Sequence, residues 1–382
     1  MKRVSLVIAL LTALTFLPLR GQAVELTVAG KSAVLMDVST GSVLYESNPH
    51  ERLAPASVTK VMTMLLIMEA VDAGRIALTD MVTASEAAAA KGGSQIYLKA
   101  GETMSVSDML KSIAVSSAND CACAMAEHIA GSEEAFVSMM NQRAQELGMT
   151  DTTFVNCTGL DDGPEAANHR TSAHDIAVMS RELLKNHPLI KKYTTIWMDT
   201  VRNGTFGLSN TNKLIRFYQG ATGLKTGFTS GAGYCLSASA QREGMELIAV
   251  VMGAETSQAR NAACKQLLDY GFANFSVVNP ELTEVPDVPV KLGKGDAVGV
   301  RLGQAAGLLI DKSQKSSIAT EVTLEQSVTA PVSQGQRIGT MTVKAGEQVL
   351  TQIPLVAAEG VERLSWGDLF GKVLQRTAMA KE

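Results

Sequence analysis

No basic stripe, histidine cluster or Cys-x-x-Cys pair occurs in this chain of 382 residues. Each absence removes a class of function. Surfaces that track phosphates need grouped Lys and Arg; here 34 basic residues are dispersed among 38 acidic ones, for a net charge of -4, so no nucleic acid is expected as a partner. The five cysteines, Cys121, Cys123, Cys157, Cys235 and Cys264, are too few and odd in number for a disulfide framework. Cys121 and Cys123 would point in different directions from a helix, so neither a metal nor a cofactor is expected, and the thiols read as small buried hydrophobes. With 19% charged and 46% hydrophobic residues the chain is not disordered and can bury one large core, with length left for a smaller second domain. There is no internal repeat, and no obligate protein partner is inferred.

What is present divides into unlike regions. Lys2 and Arg3 precede an apolar run from Val4 to Leu19, and the small residues Gly21 and Ala23 flank Gln22 at a cleavage point before Val24, so residues 1–23 read as an export signal. An uncleaved anchor is the alternative, although the run is short for a hydrocarbon core of about 30 Å. Both readings place the rest of the chain outside the cytoplasm. Alternation over Ser32–Val38 and Ser42–Tyr45 predicts a hairpin. A helix is expected from Ser57 to Val71, apolar on nearly every face and therefore buried. Further helices are expected at 106–116, 120–130, 132–146, 172–185 and 256–270, with strands at 233–240 and 245–252. Strands at both ends with helices between them imply one sheet closed by the two ends of a domain spanning 24–276. After a Pro-rich linker at 277–288, residues 289–362 show short β-rich pieces broken by Gly and Pro. From 363 to 382, Trp366, Leu369, Phe370, Val373 and Leu374 form a helical apolar stripe with basic residues around it, suited to a membrane interface or to packing on the β-rich module or on a partner.

Three short motifs carry chemistry. A serine hydroxyl is a poor nucleophile until a base takes its proton. Ser57-Val58-Thr59-Lys60 sets a hydroxyl and an amine three residues apart at a helix start, where apolar surroundings disfavour the charged amine and make Lys60 a base. Ser117-Ala118-Asn119 sits at a junction of two helical runs, facing a hydroxyl and an amide to a cleft, with Asp120 able to cap the second helix. Lys225-Thr226-Gly227 precedes the strand pair and offers a cation, a hydroxyl and an open backbone edge for an extended peptide.

In this order and at these intervals the motifs resemble the signature of the penicillin-binding and serine β-lactamase superfamily. The segments Leu53–Thr63, Gly93–Glu102, Gly223–Thr229 and Asn156–His169 are similar to those of its low-molecular-mass D-alanyl-D-alanine carboxypeptidases, over most of residues 27–275. The resemblance implies an α+β fold: a β-lactamase/transpeptidase-like catalytic domain, with an antiparallel sheet, helices on both faces and an all-helical subregion, followed by a small all-β sandwich-like domain. It also implies acyl transfer from peptidoglycan stem peptides, with β-lactams as covalent inhibitors. Ser57 would be the nucleophile, Lys60 its base, Ser117 a proton relay, Lys225 a source of local potential and Asn119 a holder of the peptide amide that also orients Lys60. The backbone N–H groups of Ser57 and Phe228 would receive the oxyanion. Thr226, beside Gly227, and Arg202, in Arg202-Asn203-Gly204, would meet the substrate carboxylate. The expected location is the outer face of the cytoplasmic membrane, held by the tail, or free export without it.

Departures from the pattern are small: Val58 follows the nucleophile, Ala118 stands between Ser117 and Asn119, and Phe228 takes a position where some relatives carry His. A β-lactamase reading would require a Glu-x-x-x-Asn to position water, and Glu165-Ala166-Ala167-Asn168 is one residue short. A D,D-endopeptidase shares every motif. A silent binding protein would have no use for the hydroxyl–amine pair.

Overall fold

The computed structural model describes residues 26–303, 307–368 and 370–371. The export signal expected at 1–23 lies outside the described residues, as does most of the tail, including Leu369, Val373 and Leu374. Among the described residues no helix is long and apolar enough to cross a membrane.

The central element is a five-stranded antiparallel sheet made from the two ends of the first domain. The strands are β1 (Ser32–Asp37), β2 (Val43–Ser47), β3 (Ala221–Thr229), β4 (Gly233–Arg242) and β5 (Met245–Ala254), in the order β2-β1-β5-β4-β3. Period-two alternation explains its two covered faces. Ile248, Val250 and Met252 of β5 and Val34 and Met36 of β1 enter the larger core, while Leu247, Ala249, Val251, Ala33 and Leu35 point to the other face.

Helices α1 (Lys60–Asp72), α2 (Val106–Ser116), α3 (Asn119–Ala130), α4 (Glu133–Glu146) and α5 (Ala173–Asn186) contribute to the larger core, and α6 (Ser257–Asn274) covers the opposite face. Four of these helices start where the sequence supplies a hydroxyl to an otherwise unpaired N–H: Ser105, Ser132, Ser172 and Thr256 accept from Asp108, Ala135, Asp175 and Ala259. In α1 every residue from Lys60 to Met68 is buried, as its unbroken apolar surface predicts.

One boundary differs from expectation in a way that matters. The α-helix begins at Lys60, and Ser57 lies on a preceding 3-10 turn, Ala56–Thr59. Asp120 also departs from its expected role. It lies inside the first turn of α3, and its carboxylate accepts the N–H groups of Ile96 and Leu98, tying down the loop before α2.

Residues 279–287 have no regular structure. Beyond them a four-stranded and a three-stranded sheet, the latter with one parallel pairing, enclose two small cores. Strand β6 (Phe275–Val278), directly after α6, pairs antiparallel with β7 (Leu308–Asp311) of this module, joining the two parts.

Candidate active site

The Ser57 turn is held between two glycines from distant parts of the chain. A Cβ on Gly159 would stand 1.8 Å from the Ala56 carbonyl oxygen, and Gly159 has φ +81. A Cβ on Gly227 would stand 2.7 Å from the Pro55 oxygen and 3.0 Å from the Val58 nitrogen. Only hydrogen at both positions lets the 156–160 loop and edge strand β3 approach the Ser57 turn this closely. Ala56 itself is left-handed, with φ 48, a conformation costly for a residue with a side chain and typical of an over-determined turn.

A hydrogen-bond chain fixes the turn from below. The Val155 N–H donates to His169 Nδ1 at 3.0 Å, so the ring proton sits on Nε2. That proton is donated to Thr59 Oγ1 at 2.7 Å, and the Thr59 hydroxyl donates to the Ala56 carbonyl at 2.8 Å. Burial, aided by repulsion from Arg170 and Lys60, lowers the His169 pKa to about 4, which keeps the ring neutral.

Lys60 is fully buried. Its Nζ lies 3.0 Å from Ser57 Oγ and 2.7 Å from the Thr158 carbonyl, with no carboxylate bonded to it. Loss of hydration outweighs the attraction of Cys157 and Asp120 and brings its pKa down to about 7. A lysine in this state holds substantial neutral amine at neutral pH, as a base must. The acceptor loop is itself anchored: Asn156 Oδ1 accepts the N–H groups of Thr158 and Gly159, and Glu133 accepts that of Cys157.

Ser117 is the left-handed residue that ends α2, with φ 63, and Asn119 opens α3. Both are buried, and Ser117 Oγ and Asn119 Oδ1 have no hydrogen-bond partner. Asn119 Nδ2 donates to the Gly92 carbonyl at 2.8 Å, so its amide oxygen is the end left free; no bond joins Asn119 to Lys60, whose orientation comes from Thr158 instead. Lys225 is buried on β3, donates to the Thr226 carbonyl at 2.8 Å, and is pushed well below its ordinary pKa by burial and then by repulsion from Lys60 and Arg260. Phe228 is exposed and stacks on Tyr234 at 4.3 Å.

Arg202, expected to meet the substrate carboxylate, is held by partners within the chain. Its Nε donates to Glu102 Oε1 at 2.6 Å, its Nη1 to the Ile96 carbonyl at 2.7 Å, and its Nη2 to the Tyr97 carbonyl and to Glu102 Oε2. The guanidinium fork is thus spent on one carboxylate, whose pKa it lowers, and no hydrogen bond joins it to the motif residues. The side chain bonded to Thr226 is Thr211, hydroxyl to hydroxyl at 2.7 Å. Sequence reasoning missed Thr211, for which no local pattern gives a signal. It also missed the Thr158 carbonyl and the His169–Thr59 link, although the segment holding both had been singled out.

A half-buried alcohol beside a buried amine, two unpartnered polar atoms and an open sheet edge can together bind a peptide and transfer its acyl group. Residues 20–256 match the family model described as D-alanyl-D-alanine carboxypeptidase, and residues 282–363 match that of the penicillin-binding protein 5 C-terminal domain. The D-alanyl-D-alanine carboxypeptidase DacF of Bacillus subtilis is 45% identical over 345 residues, covering 89% of this chain and 87% of that protein. DacC of Escherichia coli is 36% identical over 360 residues, covering 91% and 87%. Penicillin binding protein 5 from Haemophilus influenzae superposes with a TM-score of 0.75 at 32% identity, covering 88% of this chain and 98% of that one. Penicillin-Binding Protein D2 from Listeria monocytogenes in the ampicillin-bound form superposes at 0.59 with 31% identity, covering 65% and 99%.

Proposed function

The chain belongs to the D-alanyl-D-alanine carboxypeptidase family, and from that premise we propose that Ser57 is the residue acylated, Lys60 the base that activates it, and residues 1–23 and 363–382 the means by which the enzyme reaches and holds the outer membrane face. The activity is serine-type removal of the terminal D-alanine from peptidoglycan stem peptides, and β-lactams acylate the same enzyme.

The observation that carries the assignment of residues is the amine of Lys60, 3.0 Å from Ser57 Oγ, without an ion-pair partner and with a pKa near 7. In the proposed sequence neutral Lys60 takes the Ser57 proton as Oγ bonds to the carbonyl carbon between the two D-alanines. The oxyanion is received by the backbone N–H groups of Ser57 and Phe228. Collapse breaks the C–N bond as Ser117 gives its hydroxyl proton to the leaving D-alanine nitrogen and takes in exchange the proton that Lys60 had received from Ser57, so that Lys60 is neutral again; Lys225 sets the local potential of this relay. Water then adds to the ester, Lys60 again removing its proton, and the shortened peptide leaves with Ser57 restored. Asn119 Oδ1, unpartnered, accepts the substrate amide N–H. The Thr226 hydroxyl, which donates to Thr211 Oγ1, redirects its proton to the terminal carboxylate, and Arg202 acts at one remove by holding the Ile96–Glu102 loop.

The location rests on the sequence alone. Among the tail's described apolar residues, Trp366 and Phe370 are exposed, which suits insertion into an interface. Deleting residues 364–382 should abolish membrane association, and unchanged association would remove that assignment. For the activity, protein lacking residues 1–23 is given pentapeptide and crosslinked muropeptides. Release of D-alanine from pentapeptide, lost in Ser57→Ala, is the expected result; cleavage of crosslinks with pentapeptide untouched would make it an endopeptidase, and rapid turnover of penicillin a β-lactamase.

A further inference from the structure

The junction of the two domains encloses a second polar cavity that acyl transfer does not use. Its volume is about 230 Å³, and it lies between the β4–β5 turn, the end of α6, β6 and the turn at Lys312–Ser317. Cys235 of β4 faces Gly227, which touches the Ser57 turn, and the strand continues from there to Arg242, putting the cavity on the order of 20 Å from the nucleophile.

Its charge is opposite to that of the chain. Arg242, Lys312 and Lys315 line it against one acid, Glu243, in a protein of net charge -4. Two of the cations are held in place: Arg242 lies 4.7 Å over the Phe272 ring, and Lys312 donates to the Phe272 carbonyl at 2.7 Å. Lys315 has no partner among the described residues. Ser276 Oγ, also at the cavity, is buried and makes no hydrogen bond, whereas buried hydroxyls are nearly always paired. Phe272 and Phe275 add an apolar wall.

Three cations, an unpaired hydroxyl and an aromatic wall suit a carboxylate carried next to a small apolar group. We propose that this cavity is a second binding site for a stem-peptide carboxylate of the wall polymer, retaining one peptide while the cleft at Ser57 processes another. The terminal alanine of such a peptide carries one methyl beside its free carboxylate, pairing the carboxylate with Ser276 and the cations and the methyl with the Phe272 and Phe275 rings. The inference rests on the reading of the chain as a stem-peptide hydrolase.

The test uses protein whose Ser57 site has been closed with penicillin, titrated with tetrapeptide muropeptide and, separately, with inorganic phosphate. Blocked wild type should bind the muropeptide, and Lys315→Glu and Ser276→Val should each weaken that binding by about tenfold. With unblocked enzyme both variants should release D-alanine from soluble pentapeptide at the wild-type rate while requiring more polymer to reach half-maximal rate on intact sacculi. If soluble pentapeptide is not hydrolysed at all, the proposed function fails. If it is hydrolysed but blocked protein does not retain the muropeptide, or retains it equally in both variants, the second site is overturned. Phosphate binding that is sensitive to the variants and not displaced by muropeptide would overturn the choice of a carboxylate.

Discussion

The two motif lysines of the catalytic domain and two surface lysines of the C-terminal module stand in opposite surroundings. In the module, Lys294 meets Glu362 and Lys344 meets Glu321 at the surface, where such pairs add little. In the catalytic domain Lys60 and Lys225 are buried, bonded to carbonyls and a hydroxyl, with no carboxylate to neutralise them. Burial without a counterion lowers stability and produces a base, so the domain holding the motifs gives up folding free energy where the module gives up none. The larger core, packed around α1, is what lets it bear that cost.

The sharpest way to break this contrast is to remove the reactive groups. Ser57→Ala should reduce D-alanine release by on the order of 10⁴-fold or more with the unfolding midpoint unchanged. Lys60→Met should cost about 10³-fold in acylation by penicillin and raise the unfolding midpoint, because an apolar chain of similar length replaces a desolvated amine. A lowered midpoint would show that the buried lysine is not a source of strain. In the native enzyme acylation should rise with pH and level off above about 7, since only the neutral form of Lys60 accepts a proton; a rate independent of pH from 5 to 9 would contradict that role.

Smaller effects probe the frame around the lysine. Gly227→Ala forces the Ser57 turn away from β3 and should slow acylation by about 100-fold, displacement of reacting atoms being costly. His169 titrates near 4 in the folded chain against about 6.5 unfolded, so the unfolded chain binds more protons between these values. Stability from this group is present above pH 6.5 and falls by on the order of 3 kcal/mol as pH drops to 4. In His169→Gln, denaturant titrations should show a flatter acid limb. Lys344→Ala, in the module, should change neither D-alanine release nor the unfolding midpoint measurably.

What the sequence discloses follows from how local each determinant is. The all-apolar face of α1, the hydroxyl caps and the period-two strands are set within a few residues, and the three motifs are contiguous strings, so these were readable. The start of α1 was not, because Ser57 is kept off the helix by Gly159, Gly227 and the His169–Thr59 bond, all far away in sequence. The partners of Arg202 were unreadable for the same reason: Glu102 lies 100 residues earlier, and a lone arginine gives no sign of which carboxylate within the chain it will meet. Thr211 reaches Thr226 only because the chain that follows the hairpin at 198–209 folds back onto β3, where Asn212 donates to the Gly223 carbonyl.

The paired glycines around Ser57 also decide where this enzyme can vary. A turn gripped on both flanks has no slack with which to accommodate an unusual ligand, so the reacting bond must be delivered to a fixed point. Discrimination among peptides or drugs is left to the rim, where Tyr97 and Phe228 stand in solvent and can be exchanged without disturbing the grip.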